Sequence, residues 1–241
     1  MSGVAPSESS SCAQLLSLAA HELRSPTSVV SGYLRMLQSG VVGALSDSQR
    51  KMVDEAEKSC ARIAALIGEI GEIVKLDEGT AAMADRPMDL FELVKDVGGS
   101  MREAADRDVR LELRGARAGA SITGDRDRLA TALSVFFRAV LREQPAGTVV
   151  VADRRLLGQG AERRAVVLVA RADSVGASYD AGRAPIDELR GGLGLGLPIA
   201  RRIVERHGGT VWSPISRDTS EPAGTGRAGI GFSIPLKANR G

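Results

Sequence analysis

Between Met52 and Val74 the residues Met52, Ala56, Cys60, Ile63, Ile67, Ile70 and Val74 recur at steps of four, four, three, four, three and four. That spacing is close to a heptad seam, and a helix of this period must bury one stripe against another helix. A second run, from about Ser9 to Ser39, sets Leu15, Leu18, Val29, Val30, Tyr33, Leu34 and Leu37 at three- and four-residue steps, with Pro26 inside it. It reads as one long helix bent at the proline, which lacks the amide hydrogen its turn needs. Gly40 to Ser46 joins the two runs, Asp47 is placed to cap the second, and Asp77-Glu78-Gly79 ends it. Two antiparallel helices cannot cover such a stripe by themselves. Dimerisation into a four-helix bundle is the expected solution; the alternative is that the hairpin packs on the C-terminal part of its own chain.

Beyond Arg86-Pro87 the texture changes. A helix is expected near Asp89 to Asp106, short strands at Val109 to Leu113 and Ala120 to Thr123, and a helix from Asp125 to Glu143. Strands follow at Thr148 to Leu157 and Ala165 to Ala170. Then come a loop from Asp173 to Gly192, a helix to His207, and strands at Thr210 to Ser213 and Ile230 to Leu236. Helices and strands mix without strict alternation, which predicts an α/β sandwich with helices on one face of a mixed sheet, and an α+β class for the whole chain.

Composition narrows the function classes. Seven aromatics, Phe91, Phe136, Phe137, Phe232, Tyr33, Tyr179 and Trp212, leave a core built mostly from Leu, Val, Ile and Ala. No run approaches the roughly 18 apolar residues of a membrane span, and Met1 to Ser11 lacks the parts of a signal peptide, so a cytoplasmic protein is expected. Cys12 and Cys60 are too few for a disulfide framework or a metal site, and Cys60 reads as helix core. Residues 1 to 80 carry 7 Lys+Arg against 10 Asp+Glu, the remainder 25 against 20. The basic part suits an anionic ligand, but its arginine pairs lack aromatic interleaving, so no nucleic-acid partner is expected.

Two motifs carry chemistry. His21-Glu22-Leu23-Arg24-Ser25-Pro26 sets a histidine and a carboxylate inside the first helix. Neutral imidazole is a good nitrogen nucleophile, and Glu22 can take its proton as general base while phosphoryl transfer proceeds. Ser25, one turn on, shares the face of His21. In the second motif, Gly192, Gly194 and Gly196 let the backbone turn tightly toward a polyphosphate, and the helix beyond Leu197 points its first amides at the same anion.

In this order the motifs resemble the two-component sensor histidine kinases, from about residue 12 to residue 236. His21 to Pro26 resembles that family's phosphoacceptor box, and Gly192 to Gly209 its second glycine box with the trailing His-Gly-Gly. Gly224-Thr225-Gly226 with Ile230 to Leu236 resembles its closing strand. The resemblance implies a flexible terminus at 1–11, a dimerisation and phosphoacceptor hairpin at 12–80 and an ATPase-type catalytic domain at 85–241. It also implies phosphoryl exchange between His21 and an aspartate on a response-regulator receiver domain, with Ser25 positioning a hydrolytic water. His207 falls where the family has a structural histidine.

The resemblance further places Asp173, Arg142, Gly192, Gly194 and Gly196 in a nucleotide pocket, with Asp173 reading adenine and Arg142 meeting phosphate. The family's two helix asparagines, the second of which holds magnesium, fall on Val135 and Ala139, and two glycines expected after Asp173 fall on Val175 and Ala177. Hard cations need oxygen donors, so no metal ligands are assigned, and weak ATP or ADP binding with autophosphorylation weak or lost is expected. A working kinase with an atypical magnesium site and a noncatalytic dimeric adaptor are the alternatives. With no room for a sensor before residue 12 or a receiver after residue 236, input is expected from a partner kinase or sensor or through the short N-terminus.

Overall fold

A computed structural model describes residues 8–102, 105–215 and 229–237. The chain divides into two units, Met1–Ala81 and Ala82–Gly241. Most of the expected flexible terminus, and Gly224-Thr225-Gly226, lie outside the described residues.

The first unit is a hairpin of α1 (Glu8–Gln38) and α2 (Asp47–Asp77), each of 31 residues. Helix α1 runs unbroken through Pro26, and the hydroxyls of Thr27 and Ser28 donate back to the carbonyls of Leu23 and Arg24. The cap of α2 is Ser46, not Asp47. Its side chain accepts the N–H of Gln49, whose own side chain returns a bond to the Ser46 amide, satisfying two end groups that Asp47 in the first turn would not. The Cys60 thiol donates to the Thr27 carbonyl across the hairpin, and the Gln38 amide bridges Asp54 and Glu57.

Along the heptad seam Cys60, Ile67 and Val74 are buried, whereas Met52 stays 69% and Ile63 49% exposed. On α1, Leu15, Leu18, Val29, Val30 and Tyr33 are exposed as well. One flank of each stripe is thus left open in the single chain.

In the second unit, β1 (Arg86–Asp89) pairs with β3 (Ser121–Gly124), and β2 (Arg110–Gly115) begins a larger sheet. That sheet is completed by β4 (Val149–Leu157), β5 (Arg164–Arg171), β6 (Arg183–Ala184), β7 (Thr210–Pro214) and β8 (Gly229–Pro235). The strand order is β2-β4-β5-β8-β7-β6, with β2 and β4 parallel and the other neighbours antiparallel. The helices are α3 (Leu90–Ser100), α4 (Arg126–Arg142), α5 (Val175–Asp180) and α6 (Gly196–Arg206). The expected helix to Asp106 stops at Ser100, because Gly98 and Gly99 weaken its last turn.

Helix α4 lies on the sheet face that carries Phe232 and Val167; Phe136 stacks on Phe232 with ring centroids 5.6 Å apart, and both are buried. Cross-strand partners share a face, so Gly231 and its partner Leu168 point the other way. There Leu168, Val151 and Ala170 form a second cluster with Val175 and the half-buried Tyr179 of α5. This corrects two expectations: one short helix, α5, packs on the face opposite α4, and Asp173 to Gly192 is not all loop. Val175 and Tyr179 stand one helical turn apart, a spacing that gives even this short segment an apolar side.

Trp212 lies over its partner Gly231, where an added Cβ would come within 2.6 Å of the indole Nε1. Gly231→Ala is therefore expected to cost about 2 kcal/mol, the order of overpacking in a close-packed core. The check is thermal melting followed by fluorescence of Trp212, the single tryptophan. Among the described residues no helix is long and apolar enough to cross a membrane.

Candidate functional site

The histidine motif lies mid-way along α1. Ala20 is buried, and His21, Glu22 and Ser25 after it are exposed, so this turn faces outward. His21 and Ser25, four residues apart, share one face; Glu22 lies beside them around the helix. Pro26 provides no N–H for the Glu22 carbonyl four residues back. The turn that carries the imidazole is thereby less tightly bonded than its neighbours, and the ring is open to solvent.

The glycine segment is held differently from a simple open cradle. Gly191, Gly192 and Gly194 have φ of +69°, +61° and +59°, a region that only glycine enters without strain. Gly191 sits directly on α4: an added Cβ would lie 2.8 Å from the Ala139 Cα and 3.2 Å from its carbonyl oxygen. At Gly196 an added Cβ would meet both Val135 methyls at 3.6 Å. The glycine segment thus lies against the Ala139 backbone and beside the Val135 methyls, at the two positions where the resemblance places asparagines. Ala139 is fully buried and Val135 half-buried, and neither offers an oxygen, so these positions do not fit a magnesium ion. Among the described residues no group of three or more His, Cys, Asp or Glu is placed to hold a metal.

Asp173, the expected adenine reader, is exposed and ion-paired with Arg171, between β5 and α5. Arg142 ends α4 with an exposed side chain, and its carbonyl accepts a bond from the Arg107 guanidinium at 3.2 Å. Two residues that no sequence motif singles out hold the glycine segment: Arg190 is fully buried, and its guanidinium is paired with Glu143 at the end of α4. They are 47 positions apart, and no local pattern joins them.

His207 is structural. Its Nδ1 donates to the Ile203 carbonyl at 2.7 Å and its Nε2 accepts the Asp125 N–H at 2.9 Å, which fixes the orientation of the ring at the end of α6. Gly124 is required beneath it, since a Cβ there would lie 2.7 Å from Nε2.

Asp125 caps α4, accepting from the amides of Arg128 and Ala84. Burial works against its charge, but those two amides and the Arg128 guanidinium outweigh burial and hold its pKa below the ordinary 3.8. The stabilisation is therefore complete above the unfolded carboxyl's pKa and is lost as pH falls through the lower, folded value. Asp125→Ala is expected to cost about 1 to 2 kcal/mol at neutral pH. Urea melts from pH 7 down to pH 2 should show the gap between wild type and variant closing below about pH 4.

A helical hairpin with an outward histidine and glutamate, followed by a mixed sheet with a glycine-led helix, defines a phosphoacceptor module joined to an ATPase-type fold. Residues 13–79 match the His Kinase A (phospho-acceptor) domain. The chain is 30% identical over 213 residues to the signal transduction histidine-protein kinase BaeS of Escherichia coli, covering 79% of this chain and 41% of that protein. It is 26% identical over 207 residues to the circadian input-output histidine kinase CikA of Synechococcus elongatus, covering 82% and 27%. It thus spans less than half the length of these curated relatives.

In fold it is similar to full-length ShkA in complex with AMPPNP, with a TM-score of 0.66 at 20% identity over 93% of this chain and 46% of that one. The histidine kinase AdeS of Acinetobacter baumannii gives 0.53 at 17% identity, over 90% and 98%. The chain therefore carries a His Kinase A phosphoacceptor domain followed by a histidine-kinase-like catalytic fold, and it is similar over most of its length to sensor histidine kinases.

Proposed function

We propose that this chain is a dimeric phosphorelay protein in which His21 carries a phosphoryl group exchanged with an aspartate of a response-regulator receiver domain, while its own ATP-dependent autophosphorylation is weak or lost. One contrast carries this reading: His21 and Glu22 stand exposed on α1, while Gly191 and Gly196 rest on Ala139 and Val135. An imidazole nitrogen attacks the phosphorus of the donor, the bond from phosphorus to the donor oxygen breaks, and Glu22 takes the proton released from the ring. The donor is an aspartyl phosphate on the receiver or a partner kinase. Ser25 is placed to orient the water that later removes the phosphoryl group. The open flanks of the hairpin stripe support a second copy as the partner that completes the bundle.

The second reading, an ATP-driven kinase with an atypical magnesium site, is favoured by the 30% identity to a named kinase and by the glycine segment ahead of α6. Incubating the full chain with radiolabelled ATP and magnesium separates the two. The phosphorelay reading expects no acid-labile label from ATP alone and prompt label when a phosphorylated receiver or an active partner kinase is added. Brisk self-labelling of the isolated chain would overturn it in favour of the kinase.

A further inference from the structure

The side chain of Arg190 has no exposed surface, yet it carries a charge that the chemistry of His21 does not use. Its Nε donates to Glu143 Oε2 at 3.1 Å, a second N–H reaches the same carboxylate, and Nη1 donates to the Gly229 carbonyl at 2.8 Å, at the start of β8. The other Glu143 oxygen accepts the Gly191 N–H at 3.0 Å. One ion pair thus joins the end of α4, the start of β8 and the first amide of the glycine segment. A buried guanidinium is tolerated only when its donors are bonded, so breaking the pair favours its leaving the interior. In this structure both partners are seated.

Gly191 N–H belongs to the run of amides that a glycine-rich turn before a helix offers to an anion. In this structure a carboxylate of the same chain claims it. We propose that Glu143 and Arg190 form an internal latch that closes the Gly191–Gly196 segment onto α4 and withholds its amides from polyphosphate anions. The latch goes beyond the phosphorelay reading and does not depend on whether His21 carries a phosphoryl group.

Hydrogen exchange on the full chain tests it. In wild type the amides of residues 191–196 are expected to exchange at least about tenfold more slowly than in a free chain, with no change on adding magnesium ATP or inorganic tripolyphosphate. In E143Q, and in Arg190→Met, the same amides are expected to exchange about tenfold faster than in wild type while β4 and β5 keep their protection. Tripolyphosphate should then slow them in E143Q. Free-chain exchange in wild type overturns the latch even if neither variant folds, as does wild-type protection that rises with ATP. Variants exchanging as slowly as wild type overturn it too, and fast exchange in E143Q that tripolyphosphate leaves unchanged removes the withheld amides. His21 labelling in the same samples reports on the phosphorelay reading separately.

Discussion

Replacing His21 with alanine is expected to abolish phosphoryl label on the chain in the presence of a phosphorylated receiver or an active partner kinase, because no other group in the exposed turn of α1 is an imidazole. Glu22→Gln keeps the shape of the side chain and removes the base, so transfer should slow by about a hundredfold or more, within the usual range for general base catalysis. Both residues are exposed, and neither change should alter stability by more than about 0.5 kcal/mol, so the loss reads as chemistry. Ser25→Ala should leave label uptake unchanged and slow its hydrolysis. The measurement is acid-labile radiolabel followed in time with each variant. If His21→Ala changes neither phosphoryl flow nor signalling output while receiver binding persists, the chain is an adaptor.

The phosphoacceptor turn was legible because its logic is local. A histidine, a carboxylate and a proline within one helical run suggest a candidate nucleophile, a candidate base and a loosened turn whatever the rest of the chain does. The helices and central strands were legible for a related reason, since period and capping residues act over short distances: α4 runs from Arg126 to Arg142 between the caps Asp125 and Glu143, as the pattern predicts. Ser46 was missed as the cap of α2 because two good capping residues stand side by side, and the reciprocal bond from Gln49 decides between them. Helix α5 was missed because its apolar partners, Val151, Leu168 and Ala170, arrive from strands on the far sheet face. The seating of Arg190 on Glu143 is a long-range pairing of two ordinary charged residues. Sequence showed that oxygen donors are missing at 135 and 139; only the structure shows what packs there.

That distinction has a measurable consequence at Ala139. If the asparagines of the family had simply been lost from an open cleft, Ala139→Asn would restore a donor at little cost. Here Ala139 is fully buried and its backbone lies against Gly191, so a carboxamide must displace the glycine segment or enter a packed interior without a designated partner. Overpacking contributes about 1 to 3 kcal/mol, and an unpaired buried amide roughly the same again. The expected loss is about 4 kcal/mol, a fall in the melting temperature of the catalytic unit on the order of 10 °C. Val135→Asn, at a half-buried position, should cost about 1 kcal/mol, within the range of ordinary substitutions. The double variant should therefore melt early and still fail to label His21 from radiolabelled ATP. Calorimetry and the labelling assay check both halves: an Ala139→Asn chain that melts within about 2 °C of wild type, or a double variant that labels itself, would show that the glycine segment yields easily and that only the donors were missing. The contrast in cost between two positions four residues apart on one helix then decides whether α4 has become core or remains a vacated ligand face.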